Sequence, residues 1–352
     1  MSKKVFSQLI HWSKNQYSHL PWRRERTLYG TLVSEIMLQQ TTVGTVLNHY
    51  ENFLNEYPTL LDLAQASEEQ VCVSWKGLGY YRRARNLRNL AIQILNQYKG
   101  TIPTDQELLL KLKGIGPYTA NAIVAIGADK KGLAVDANLE RVLARFYGES
   151  EVKGVKLQQK LLKDFSDKKI LIEMDSLSPR EINEAFMDLG RILCQAKKAS
   201  CSLCPLRESC VAFRQGTPLA YPKEERKKVK EDFYLKLLRV VVKKNNEILF
   251  YQKQENEWLS GQWELPSFII ETNDKCLEQY PKLKMKRAHF LGKTFKTSIT
   301  KYKIENFIYE MSENDFMEMV LDNDVHYQFY PLSKNLNAST ASLKAMKILA
   351  LG

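Results

Sequence analysis

The chain has 352 residues, 44% of them hydrophobic and 26% charged, which excludes a disordered or low-complexity polymer and leaves room for two domains with their own cores. Its formal charge of +12 points to a polyanionic partner, although a protein can be basic without one. The start MSKKVFSQLIHW has too short an apolar run for a signal peptide, and no stretch reaches the length of a membrane span, so a cytoplasmic location with no membrane partner is expected.

Residues 1 to about 15 predict a helix, followed by Leu20-Pro21-Trp22-Arg23-Arg24 in a loop. A Trp beside an Arg either closes a hydrophobic edge or walls a base-sized pocket. Across 28–50, Leu32, Val33, Ile36 and Met37 make an apolar helix stripe with Glu35 at its margin. A half-desolvated carboxylate there would titrate closer to neutrality, as a general acid must, whereas a solvated helix Glu would not. Further on, Gly77-Leu78-Gly79-Tyr80-Tyr81 places an aromatic over a glycine bend. Arg82, Arg83, Arg85 and Arg88 then predict a basic helix face, turned to phosphates or only to solvent.

Residues 101–146 hold two helices around a glycine turn. The first is expected to open at Thr104 with Glu107 completing a capping box, and to bury Leu108, Leu109 and Leu112. Gly114-Ile115-Gly116 makes a tight turn, and Pro117 suits the first position of the next helix, expected to run to Ile126 with Ala120, Ile123 and Val124 inward. Such a turn is either structural or a site where backbone amides meet a DNA phosphate. Asp136 then stands before Leu139, Val142, Leu143 and Phe146, which share one helix face; it is either merely an N-cap or a catalytic group.

Cys194, Cys201, Cys204 and Cys210 fall within seventeen residues, which favours a metal centre over disulfides, and thiolates at such spacing could bind zinc. Cys72 and Cys276 stand apart as ordinary thiols. Residues 216–232 carry prolines and a dense charge run, as a linker does. Beyond them, Leu237–Val242 and Ile248–Tyr251 read as strands joined by a turn over 243–247.

The hairpin followed by Asp136 resembles the helix-hairpin-helix DNA glycosylase superfamily, and the run Ser34-Glu35-Ile36-Met37-Leu38-Gln39-Gln40-Thr41 is similar to the diagnostic motif of the adenine DNA glycosylases, the MutY family. The likeness runs through residues 20–222. It implies a multidomain chain: an all-α helix-hairpin-helix glycosylase domain over 1–215 with a [4Fe–4S] cluster module, the linker 216–232, and an α+β Nudix-like domain over 233–352. Within the first, a helical module covers about 28–130 and the cluster module covers 1–27 plus 131–215. The implied activity is removal of adenine mispaired with 8-oxoguanine or guanine, by hydrolysis of its N-glycosidic bond, which initiates base excision repair.

The resemblance also implies roles. Glu35 is the general acid, Asp136 faces the sugar, and Asn138 hydrogen-bonds that aspartate. Leu20, Trp22, Arg23 and Glu184 line the adenine pocket. Gln40, Leu78 and Tyr80 meet the duplex, where a long amide and a flat ring can replace lost stacking. Gly114 and Gly116, with Lys197 and Lys198, contact phosphates. Cys194, Cys201, Cys204 and Cys210 hold the [4Fe–4S] cluster. Strand-cutting relatives such as endonuclease III place a Lys where this chain has Tyr118, so the resemblance implies a monofunctional enzyme. The partner is double-stranded DNA with 8-oxoguanine:adenine or guanine:adenine mispairs, met in the nucleoid by a monomer.

The stretch Trp258–Pro266 is similar to the family's Nudix-like domain, without the Glu-rich metal helix of a hydrolase, so a lesion reader is expected. Where that reader carries Phe-Ser-His, this chain has Lys293-Thr294-Phe295-Lys296-Thr297-Ser298-Ile299, leaving Phe295, Thr297 and Ser298 as lesion contacts on an expected loop. Lys113 for the usual Pro, Ala137 for Gly and Ser18 for Arg are further departures. A DNA-binding protein without activity, or an electron-transfer protein built on the cluster, would need neither Glu35 nor Asp136.

Overall fold

The computed structural model describes residues 2–166, 177–224, 232–282, 293–320, 325–331 and 336–349; residues 225–231 of the expected linker lie outside them. The chain divides into two units, Met1–Gly79 with Arg83–Arg226, and Lys227–Gly352 with Tyr80–Arg82. Among the described residues no helix is long and apolar enough to cross a membrane.

In the first unit, helix Ser2–Tyr17 buries Phe6, Leu9 and Ile10 against helices Ala137–Tyr147 and Pro179–Ile192. Phe6 sits 5.5 Å, centroid to centroid, from both Phe146 and Phe186, and this contact closes the core below the expected catalytic aspartate. The single element expected over 28–50 is two helices, Leu28–Leu38 and Val43–Glu56. The break follows from Gln40, whose φ of 57° cannot continue a right-handed helix, and from Thr42, whose hydroxyl caps the next one. Helix Leu28–Leu38 is buried at every position from Gly30 to Met37, so it has no solvent margin.

The hairpin forms with different details from those expected. Helix Gln106–Leu110 is capped by Asp105, which accepts from Leu108 N at 3.0 Å, while Thr104 Oγ1 accepts from Lys130 Nζ at 2.6 Å. Because the helix ends at Leu110, Leu108 and Leu112 are no longer helical neighbours: Leu109 and Leu112 are buried, whereas Leu108 is 38% exposed. Gly114 turns the chain at φ 102°, a conformation closed to most residues, and Pro117 opens helix Pro117–Ala122. That helix then widens into a π turn, Ile123–Gly127, instead of running on as α-helix, with Ala120, Ile123 and Val124 buried as expected.

The second unit is built on a seven-stranded sheet of β1 (Phe233–Lys244), β2 (Glu247–Gln252), β3 (Trp263–Glu264), β4 (Ser267–Thr272), β5 (Thr294–Ile299), β6 (Tyr302–Met311) and β7 (Tyr327–Pro331), with helices Glu313–Val320 and Thr340–Ile348. β1 and β2 form the expected hairpin, with Asn245 left-handed in its turn. β1 runs parallel to β6, from Phe233 opposite Tyr302 to Val242 opposite Met311, and β5 pairs antiparallel with β6. The segment expected to be a lesion-reading loop is therefore strand β5. Its alternation follows from the pairing: Phe295 enters the core with Val241, Phe250 and Ile308, and Ser298 faces outward.

A buried charge cluster ties this sheet together. Arg239 donates to Glu264 at 2.7 Å, to Ser267 Oγ at 3.1 Å and to Asn306 Oδ1 at 2.7 Å, and both ion-pair partners are essentially inaccessible to water. Glu264→Ala strands that guanidinium, so unfolding of the second unit in urea should come about 3 to 5 kcal/mol sooner. Glu264→Leu combined with Arg239→Met should recover most of the loss, and a double variant no better than the single one would contradict this account.

Candidate active site

Asp136 is placed by its role as the N-cap of Ala137–Tyr147. Its Oδ1 accepts from Leu139 N at 2.6 Å and its Oδ2 from Asn138 Nδ2 at 2.8 Å. The strand-like approach to it is pinned by Asn183, fully buried, which accepts from Ala134 N at 2.8 Å and donates to the carbonyls of Gly132 and Pro179. Asn183 precedes Glu184 in sequence, and its fixing role depends on long-range contacts.

Asn138 is held in turn. Its Oδ1 accepts from Arg141 at 2.9 Å, and the same guanidinium donates to the carbonyls of Gly190 and Cys194, each at 2.8 Å. Gly190 lies so close that a Cβ on it would stand 2.7 Å from Asn138 Cβ and 3.2 Å from its backbone. Gly190→Ala must displace Asn138, and with it the donor to Asp136. The expected result is at least a tenfold slower excision with a stability loss of about 1 to 3 kcal/mol, read by single-turnover kinetics and melting; two unchanged values would refute it.

Glu35 lies on Leu28–Leu38 at 7% exposure, deeper than the helix margin on which the sequence placed it. Tyr118, the second residue of the helix after the hairpin, donates its hydroxyl to Glu35 Oε2 at 2.6 Å. Burial raises the Glu35 carboxyl to about 7; Asp136 and Glu184 push in the same direction, while the Tyr118 hydrogen bond and Arg23 pull against it. Tyr118 itself is driven well above the ordinary phenol range by burial and by these carboxylates, so it stays a donor.

These groups share one open cleft of about 570 Å3, bordered by Glu35, Gln39, Gln40, Tyr118, Asp136, Asn138 and Arg191. A carboxyl held near neutrality by burial, with a second carboxyl group on the same cleft, is the pairing that acid-assisted cleavage of a glycosidic bond uses. Arg191 is part of this border, and the sequence reading missed it.

The residues expected around the adenine are more tied up than a simple lining. Arg23 forms a two-pronged pair with the buried Asp188, at 2.8 and 2.9 Å, and Ser13 donates to the same carboxylate at 2.6 Å. Glu184 accepts both prongs of Arg26, at 2.7 and 2.9 Å, a partner the sequence reading did not identify. Leu20 is buried, and Trp22 stacks edge-on with Tyr50 at 5.3 Å. Arg23 Nε also lies 3.7 Å from Glu184 Oε1, so the two belong to one cluster of charges.

Gln40 and Tyr80 are exposed with left-handed backbones, Tyr80 at 63% exposure, whereas Leu78 is 5% exposed and offers Arg83 its carbonyl, so its side chain belongs to the core. Arg83 is likewise buried, donating to the carbonyls of Ile36, Met37, Leu78 and Gly79, and Arg88 donates to Ala66 O. The expected basic face is thus in good part a set of internal ties. Lys197 and Lys198 are exposed. In the second unit, Thr297 Oγ1 accepts from Asn306 at 2.9 Å and Phe295 is 7% exposed, so of the three expected lesion contacts only Ser298 presents an exposed side chain.

Cys194, Cys201, Cys204 and Cys210 all border one cavity, together with Arg145, which donates to Cys194 Sγ at 3.2 Å. None of the four is in a disulfide. Four soft sulfurs around a shared space are a donor set that zinc or an iron–sulfur cluster can take.

Residues 33–167 match the HhH-GPD family, described as an HhH-GPD superfamily base excision DNA repair protein. The adenine DNA glycosylase of Buchnera aphidicola subsp. Schizaphis graminum (strain Sg) is 34% identical over 295 residues, covering 81% of this chain and 80% of that protein. The adenine DNA glycosylase of Homo sapiens is 37% identical over 213 residues, covering 58% of this chain and 38% of the human protein. A solved structure titled as a thermostable thymine-DNA glycosylase is 26% identical with a TM-score of 0.53, covering 61% of this chain and 97% of that one.

Proposed function

The chain belongs to the adenine DNA glycosylase family within the HhH-GPD superfamily, and we propose that it removes adenine opposite 8-oxoguanine or guanine as a monofunctional hydrolase. Adenine excision in base excision repair follows from that membership. The observation that carries the rest is Glu35, buried, titrating at about 7 and sharing a cleft with Asp136.

At pH near 7 a fraction of Glu35 holds its proton, which it delivers to N7 of the extruded adenine, weakening the glycosidic bond. Tyr118 holds the carboxyl by its 2.6 Å hydrogen bond and, having no amine, forms no Schiff base with the sugar. Asp136, fixed by Leu139 N and Asn138, opposes the positive charge that develops on the sugar or captures it covalently. Glu35, deprotonated after the base leaves, then takes a proton from the attacking water.

The four clustered cysteines would hold a [4Fe–4S] cluster, whose role here is structural; Lys197 and Lys198 beside it face phosphates. Gln40 and Tyr80 serve as duplex wedges, Gly114 and Gly116 present backbone to a phosphate, and residues 233–352 form a Nudix-like lesion reader in which Ser298 is the exposed candidate. The protein acts as a monomer in the cytoplasm on nucleoid DNA.

Single-turnover cleavage of labelled duplexes carrying adenine opposite 8-oxoguanine or guanine, with and without alkali, tests this. Product only after alkali, formed faster on the lesion duplex, is the expected result. Strand breaks without alkali would overturn the monofunctional reading, and equal rates would remove the lesion reader. For the cysteines, protein purified without oxygen should contain iron and sulfide in equal amounts with visible absorption that Cys204→Ala loses; zinc in their place would overturn the assignment.

A further inference from the structure

Arg191 stands in the last turn of Pro179–Ile192 and borders the same cleft as Glu35 and Asp136. Its guanidinium lies over the Tyr17 ring, 5.0 Å from the centroid, and its charge reaches Tyr118. Among the described residues its Nη1 is buried and has no hydrogen-bond partner. A buried guanidinium N–H without an acceptor is costly, and in a native protein it calls for an acceptor that an ordered water or a ligand brings.

The carboxyl groups on the same cleft already have donors of their own. Both oxygens of Asp136 accept from Leu139 N and Asn138, and Glu35 Oε2 accepts from Tyr118. A Glu35 that must keep its proton cannot serve as a counter-ion. Bases and sugars offer only neutral acceptors, so the group on a DNA strand best matched to the charge of Arg191 is a phosphate.

We propose that Arg191 is a phosphate-binding residue that receives, on Nη1, a non-bridging oxygen of a phosphate flanking the extruded adenosine and so fixes its sugar over Asp136. This rests on the adenine-excision reading. The stacking on Tyr17 pre-sets the plane of the guanidinium, and the contact is charge-assisted. A cation next to a reaction that builds positive charge would be harmful alone; paired with a phosphate it is neutralised and orients without opposing the chemistry.

The test measures binding to a duplex with a hydrolysis-resistant 2′-fluoro-adenosine opposite guanine, in which the phosphates 5′ and 3′ of that nucleotide are replaced one at a time by neutral methylphosphonate. Wild-type protein, Arg191→Met and Arg191→Lys are compared by fluorescence anisotropy. Arg191→Met keeps the apolar stem over Tyr17, and Arg191→Lys keeps the charge. At one of the two positions the neutral group should weaken wild-type binding about 10- to 100-fold. Arg191→Met should bind the unmodified duplex weaker by a similar factor and show no further loss there, while Arg191→Lys responds as the wild type does. An Arg191→Met protein that still loses affinity at that phosphate like the wild type, or that binds the unmodified duplex equally well, would overturn the proposal. Wild-type cleavage of an ordinary adenine duplex is measured alongside. Absence of cleavage would sink the excision reading, whereas intact cleavage without coupling would sink only the role of Arg191.

Discussion

Glu35→Gln is expected to slow adenine excision by about 10³-fold while making the folded protein more stable above neutral pH. The two effects have one cause. Burial raises the carboxyl from its ordinary 4.5 to about 7, so the folded state holds a proton that the unfolded chain releases. Stability from this group is therefore complete below about 4.5, falls as pH rises through the window up to about 7, and stays lower above it by roughly 3 kcal/mol at most. Gln is uncharged at every pH and escapes that loss, so its melting temperature should exceed the wild type's at pH 8 and match it near pH 4. Wild-type excision should fall about tenfold per pH unit once the acid has titrated. A Gln variant with full turnover would remove Glu35 from the chemistry; one that is less stable at pH 8 would show that the burial is not costly.

Asp136→Asn should cost about 10² to 10³ in single-turnover excision with little loss of stability, because an amide oxygen can still cap Leu139 N. A second consequence separates this variant from a merely damaged one. The Asp136 charge helps hold Glu35 protonated, so removing it lowers the Glu35 pKa and moves the alkaline fall in activity to lower pH. The loss should therefore be larger at pH 8 than at pH 6. Asp136→Ala removes the cap as well and should add about 1 kcal/mol of destabilisation. Identical profiles for wild type and Asp136→Asn, differing only by a constant factor, would show that the two carboxylates do not interact.

What was legible in the sequence follows the range of the forces involved. Asp136 as an N-cap, the helix face of Leu139, Val142 and Leu143, the Gly114 turn and the β1–β2 hairpin depend on neighbours a few residues away, and they stand as read. The depth of Glu35 did not, because helix Leu28–Leu38 is covered on all sides by other parts of the chain and its periodicity carries no record of that. Arg83 looks in sequence like a surface cation and is a buried brace, since its five acceptors come from residues far along the chain and from a nearby turn. Arg26 and Arg191 were missed for the same reason. Strand β5 is different: the alternation of Phe295, Thr297 and Ile299 with exposed neighbours was present in the letters, but the segment was matched to a loop by position.

Arg141 gives the molecule a linkage in series. One guanidinium grips Asn138 Oδ1 at one end and the carbonyl of Cys194 at the other. Whatever happens to the cysteine loop is thereby passed along a rigid rod to the amide that steadies Asp136. A disturbance of the cysteine loop would thus reach the catalytic aspartate through two hydrogen bonds, slowing excision before any contact in the cleft itself is broken.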